Sequence, residues 1–235
     1  STGPLAPGPG RQTHALCGQE SLVMKQAAEI QIQGHGLFPT PVIQAELPNP
    51  EANNAGLRTA IEARMASHPS TAHSNLGGWQ STWDLADWGG ESGRLVLEQA
   101  KTIATRMTCD RQGKPVKVDW QLNAWANVNS TGHGNEFHTH PGSFWSGTYY
   151  VDDGGIDENP ALGGEFEIQD PRGIAPAMYA PLLAINVPGG LAMGSSEVIS
   201  PKAGRILMFP SWLSHAVRPY LGNRQRISIA FNLSV

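Results

Sequence analysis

From Val116 to the C-terminus the chain runs in short segments with a period of two, which restricts it to a fold built mainly from strands. Val116, Val118, Trp120, Leu122 and Ala124 alternate with more polar neighbours, the pattern of a half-buried strand. Further strand-like runs follow at 144–151, 164–169, 182–187, 205–209, 216–219 and 225–233, separated by clusters of Gly, Pro, Asn and Asp. Many short strands punctuated in this way indicate a sandwich or jelly roll. Two helices precede them. Leu57, Ile61 and Met65 recur at helical spacing after Asn53 or Asn54 as a cap, with Pro69 just past the end. Val96, Ala100, Ile103 and Met107 mark the second, and 77–80 and 87–90 read as loops. The expected fold class is mainly β, a double-stranded β-helix (jelly roll) with two or more N-terminal helices packed on one face.

Composition sets the outer limits. With 235 residues and 40% hydrophobic content, one domain can bury a sizeable core. The Gly- and Pro-rich start predicts a disordered arm over 1–12, followed by a single domain over 13–235. A net charge of −4 and a pI near 6.0 carry no electrostatic footprint for a phosphate backbone, so no nucleic-acid partner is expected. Cys17 and Cys109 are too few for a disulfide framework, and no segment resembles a signal peptide. The most apolar stretch, 179–193, is broken by Pro181, Pro188 and Gly189-Gly190, so no membrane span is expected. A soluble, cytoplasmic protein is the expectation; its oligomeric state is left open.

Two segments carry the chemistry. In Asn135-Glu136-Phe137-His138-Thr139-His140-Pro141, histidines one residue apart on a strand share a face. An isolated His-x-His is equally compatible with two hydrogen-bonded structural histidines. The second segment, Phe209-Pro210-Ser211-Trp212-Leu213-Ser214-His215, shifts that balance, because a third histidine from a distant strand can close a facial metal site. Arg226-Ile227-Ser228 then places an always-charged fork and a hydroxyl on one strand face. Together these imply an iron centre beside an anchor for an acidic cosubstrate. His138, His140 and His215 are ranked first as the metal-binding and catalytic set. Glu136, of the same strand parity, and Glu165, after a Gly-Gly pair, are the alternative carboxylate ligands. Asn123 and Trp125, on the preceding strand, can face the cosubstrate. Arg172 is read as a solvated loop residue. His14, His35, His68, His73 and His133 lack partners at useful spacing.

The motifs also occur in a familiar order. His-x-His, Ser146-Gly147-Thr148-Tyr149-Tyr150-Val151, Gly163-Gly164-Glu165-Phe166, Phe209-Pro210 with His215, and Arg226-Ile227-Ser228 together resemble the Fe(II)/2-oxoglutarate-dependent oxygenases. The likeness is greatest to a bacterial and phage branch related to the prolyl-hydroxylase-like group. It runs from Gly36 to the C-terminus and takes in Phe38-Pro39-Thr40-Pro41 and Gly78-Trp79-Gln80-Ser81. The resemblance implies His138 and His215 as ligands, with His140 standing where the family usually has a carboxylate. It implies Arg226, helped by Ser228 and Tyr150, as the site for the distal carboxylate of 2-oxoglutarate, with Asn123 also on the cofactor side. Fe(II) and 2-oxoglutarate would be the cofactors. A small-molecule or peptidyl substrate would be hydroxylated with release of succinate and carbon dioxide. Loops 152–162 and 170–180 are expected as lids, with Trp212 as a flat wall. Three other classes compete. A cupin-like three-histidine dioxygenase without 2-oxoglutarate would not need Arg226. A zinc hydrolase lacks a positioned general base. A non-catalytic jelly-roll binding protein would hold no metal.

Overall fold

The computed structural model describes residues 36–186 and 193–235. The arm expected over 1–12, the domain start at 13, and His14, Cys17 and His35 lie outside the described residues. The strands in chain order are β1 (Ile43–Glu46), β2 (Asn75–Leu76), β3 (Trp79–Gln80), β4 (Gln121–Asn129), β5 (Gly134–His138), β6 (Trp145–Asp152), β7 (Phe166–Gln169), β8 (Ser196–Ile199), β9 (Arg205–Pro210), β10 (His215–Val217) and β11 (Arg226–Ser234). The helices are α1 (Glu51–Ser67), α2 (Leu85–Trp88), α3 (Gly90–Arg106) and α4 (Ala175–Tyr179). A six-stranded sheet runs β1-β9-β6-β11-β4-β3 and a five-stranded sheet runs β2-β5-β10-β7-β8. Every pairing of these strands is antiparallel. This is the jelly roll that the punctuated strand pattern predicts.

Period two divides the larger sheet into two working faces. On β11, Ile227, Ile229, Phe231 and Leu233 are fully buried and join Leu57 and Ile61 of α1 and Val96 and Ala100 of α3 in one apolar cluster. The other face of the sheet looks toward the smaller sheet, where Tyr150, Leu207 and Phe209 meet Phe166, Ile168 and Leu213. Burial of one face under the helices leaves the opposite face, carrying Arg226 and Ser228, to line a cavity between the sheets.

Three boundaries differ from the sequence reading. Helix α1 starts at Glu51 behind Pro50 rather than at Asn53 or Asn54; proline presets the backbone there, and Asn54 instead accepts a hydrogen bond from the Tyr149 hydroxyl at 2.5 Å. Strand β4 begins at Gln121, not Val116, because its partner ends with Ser234 opposite Gln121 and leaves residues 116–120 no ladder. Trp120 is nonetheless buried, its Nε1 donating to Thr105 Oγ1 at 3.1 Å. Residues 182–186 are not a strand, and Leu182 and Leu183 are exposed. The outer partner of β7 is β8, an edge strand whose sequence, Ser-Glu-Val-Ile, is too polar to stand out. No helix among the described residues is long and apolar enough to cross a membrane.

Candidate metal centre

Strands β5 and β10 pair with His215 opposite His138. The register then shifts, so that Val217 faces Asn135. Three residues of β5 therefore span two of β10, a bulge that re-aims side chains. Both Asn135 and His138 consequently line the cavity, while Glu136 between them is exposed. Strand β5 stops at His138 because β10 begins opposite it, at His215. His140 is held instead by its own N–H, which donates to the Ser211 carbonyl at 2.9 Å. The two histidines thus converge without sharing one continuous strand.

The ligand atoms of His138, His140 and His215 all lie within 4.8 Å of one another. Among the described residues neither Glu136 nor Glu165 joins this group. The Nδ1–H of His138 donates to the Glu136 carbonyl at 2.7 Å, and that of His215 to the Leu213 carbonyl at 2.8 Å. A carbonyl can only accept, so each ring turns an Nε2 lone pair toward the cluster. His140 Nε2 stands 3.3 Å from His215 Nε2. Burial, with the neighbouring histidines adding to it, pushes His215 down to about 3 and His140 to about 4, and lowers His138 as well. Near neutral pH the cluster is three uncharged imidazoles, the form that binds a metal ion.

The other end of the cavity is built by β11 and its neighbours. Ser228 lies opposite Tyr150 on β6 and Asn127 on β4, and Ala230 lies opposite Thr148 and Trp125. All six line the cavity, as does Arg226. Arg226 is 2% exposed, and its Nε has no hydrogen-bond partner among the described residues. The guanidinium sits over the Tyr150 ring at 5.4 Å, and the Tyr150 hydroxyl is also buried with no partner among the described residues. Burial lowers the Arg226 pKa and raises that of Tyr150. Asp153 acts on Arg226 only from beyond ion-pair distance, and a buried cation with no carboxylate in contact among the described residues is costly, so this end is shaped for an anion. A cluster able to hold a metal ion and a guanidinium with an unpartnered Nε on one cavity fit a ligand with a chelating head and a distant carboxylate.

Arg226, Ser228 and Tyr150 therefore stand together, but Asn123 is exposed and outside the cavity lining. It faces Asn232, on the row beyond Trp125. Asn127, two places past Trp125 on the same face, takes the position beside Ser228; counting by two from Asn123 would have found it. Ser74 also lines the cavity, with its Oγ 3.5 Å from His138 Nε2. No local signal marks Ser74, because a two-strand pairing of β2 with β5 brings it there. Loop 152–162 is pinned rather than free: Ile156 is fully buried and the Gly154 carbonyl accepts from the Tyr220 hydroxyl at 2.7 Å. Neither this loop, nor 170–180, nor the half-exposed Trp212 lines the cavity. Arg172 pairs with Asp170 at 2.7 Å. His133 accepts from the Ser130 N–H at 3.0 Å as part of a turn, and His73 packs edge-on to Trp83.

Residues 123–232 match the family described as "Putative 2OG-Fe(II) oxygenase". No curated protein matches the chain by sequence. Among solved structures, a prolyl-4-hydroxylase from Pseudomonas putida superposes with a TM-score of 0.59 at 17% identity, covering 83% of this chain and 92% of that one. A prolyl hydroxylase from Trichoplax adhaerens, solved with a hypoxia-inducible-factor peptide fragment, gives 0.57 at 12% identity over 82% and 83%. The collagen prolyl hydroxylase of Paramecium Bursaria Chlorella virus-1, solved as its 2OG complex, gives 0.51 at 12% over 83% and 96%. At these identities the structural likeness establishes the fold.

Proposed function

We propose that the chain is an Fe(II)/2-oxoglutarate-dependent oxygenase, the family that residues 123–232 match, and that with those two cofactors it hydroxylates a C–H bond of its substrate. In the balanced reaction, 2-oxoglutarate, dioxygen and the substrate C–H give succinate, carbon dioxide and the substrate C–OH. The observation that carries this reading is the pairing, in one cavity, of three neutral histidines with a buried Arg226 whose Nε has no hydrogen-bond partner among the described residues. His138, His140 and His215 hold the iron through Nε2. Iron so held, with 2-oxoglutarate and dioxygen, supplies the oxidising power. Three uncharged ligands leave the ion its full positive charge, which favours a dianionic chelator over neutral competitors.

Arg226 takes the distal carboxylate as a two-pronged partner, with Ser228 and the Tyr150 hydroxyl donating beside it. The anion supplies the directly paired charge that Asp153, acting from a distance, does not. The hydrophobic walls of Phe166 and Trp125 exclude water from the same space. A three-histidine dioxygenase that did not use 2-oxoglutarate would leave Arg226 buried to no purpose. The likeness to prolyl hydroxylases makes proline-containing peptides the first substrates to screen, followed by free amino acids and small metabolites.

The test is succinate release from 2-oxoglutarate by the Fe(II)-reconstituted chain, measured with and without each candidate substrate. Substrate-dependent succinate with a matching gain of one oxygen in the product is the expected result. Turnover that is indifferent to 2-oxoglutarate, or a chain that binds neither iron nor 2-oxoglutarate, would refute the assignment.

A further inference from the structure

Two of the three histidines have their tautomer set by the backbone, and the third does not. His138 and His215 each give Nδ1–H to a carbonyl. His140 Nδ1 faces the side-chain amide of Asn232, with Nδ2 at 3.5 Å, while the Asn232 Oδ1 accepts from the Ser146 hydroxyl at 2.8 Å. In this arrangement Asn232 donates and His140 Nδ1 accepts. The single proton of a neutral His140 then sits on Nε2, aimed at the His215 Nε2 lone pair 3.3 Å away. Each partner is satisfied, yet His140 has no lone pair to offer a metal ion.

Rotating the Asn232 amide by half a turn resolves the conflict without moving a strand. Its Oδ1 then faces His140 Nδ1, and its Nδ2 faces the Ser146 hydroxyl, which accepts as readily as it donates. Ser146 is 1% exposed and stands directly opposite Asn232 across the β6–β11 pairing, so both groups stay in place. We infer that Asn232 is the positioning residue that selects the tautomer of His140, its amide reversing between the metal-free and metal-holding states. The inference rests on the reading of the cluster as a metal centre. One proton leaves Nε2 to solvent and one is taken up at Nδ1, so the exchange at His140 has no net proton count. Asparagine suits the position because it can present a donor or an acceptor to the ring; aspartate presents only an acceptor, and leucine neither.

Long-range nitrogen–proton NMR of the imidazoles, recorded on the full chain stripped of metal and again with Zn(II), reads the tautomers directly. His138 and His215 should carry Nδ1–H in both states, while His140 changes from Nε2–H to Nδ1–H. In parallel Co(II) titrations, Asn232→Leu should bind about 10–100-fold more weakly, the usual cost of losing a group that orients a ligand. Asn232→Asp should bind as tightly as the parent or more so, whereas a merely structural role would weaken both variants. Finding His140 already in the Nδ1–H form without metal, or parental Co(II) affinity in Asn232→Leu, overturns the proposal. A parent chain that takes up neither Zn(II) nor Co(II) overturns the metal-centre reading itself, and this inference with it.

Discussion

In the proposed cofactor site Arg226 concentrates the conflict between stability and function in one side chain. It is an ion taken out of water with its Nε unpartnered, and replacing such a buried charge with an apolar group of similar size is commonly neutral or stabilising by about 1–4 kcal/mol. Arg226→Met should therefore unfold at the same temperature as the ligand-free parent or higher, and should lose the rise that 2-oxoglutarate produces in the parent. Arg226→Lys keeps the charge but not the fork. Truncating one partner of a buried charge pair costs about 2–5 kcal/mol, so both variants should bind 2-oxoglutarate at least about 30-fold more weakly by calorimetric titration. A methionine variant that binds 2-oxoglutarate like the parent would remove Arg226 from the cofactor site. The residue types of the cluster, the guanidinium and its hydroxyl neighbours were all legible in the sequence, since each is defined by its own chemistry. The orientation of Asn232 and the nearness of Ser74 were not, because each depends on partners more than sixty residues away.

At the level of elements, the site depends on how closely β5 and β10 approach. A Cβ on Gly134 would lie 2.6 Å from the Val217 carbonyl oxygen, a backbone atom that cannot swing aside. Val217 is two residues from His215 on β10. Gly134→Ala should therefore force the strands apart, costing about 1–3 kcal/mol as overpacking does, and should weaken Co(II) binding by displacing His215 relative to His138. Gly132 makes the control. It has a φ of +86° and nothing among the described residues within 4 Å of a built Cβ, so Gly132→Ala should cost only the backbone strain, about 1–2 kcal/mol, and leave metal affinity unchanged. Equal metal affinity in both variants, with folding intact, would mean that the β5–β10 spacing does not set the site. Strand alternation placed β6, β9 and β11 to within about a residue at each end, because the helices bury one whole face of their sheet. The bulge in β5 and the polar edge strand β8 escaped it, since register and pairing partners are properties of two strands and not of one.

For the whole molecule, the buried histidines make stability depend on pH in a defined window. Their folded pKa values, about 3 for His215 and about 4 for His140, lie below the ordinary value of about 6.5, chiefly because burial disfavours the charged form. Below about pH 6.5 the unfolded chain binds more protons than the folded one, so stability is full above that pH and falls as the pH drops toward 4. Each histidine contributes up to about 1.4 kcal/mol per pH unit in that range. Urea unfolding of the metal-free chain between pH 7.5 and 5 checks this, above the region where carboxylates such as Asp170, held down to about 2 by Arg172, take up protons. His140→Gln with His215→Gln should flatten the dependence, and an unchanged slope would show that these rings are not buried neutral in solution. The sequence by itself determined the fold class, the one-sided burial of the strands and the three histidines with their arginine, because periodicity and side-chain chemistry are local properties. Only the tertiary structure decided that His140 completes the cluster in place of a carboxylate, that Asn127 rather than Asn123 reaches the cavity, and that loop 152–162 is fixed. Each of those outcomes depends on which distant backbone a residue meets when two sheets close over one cavity.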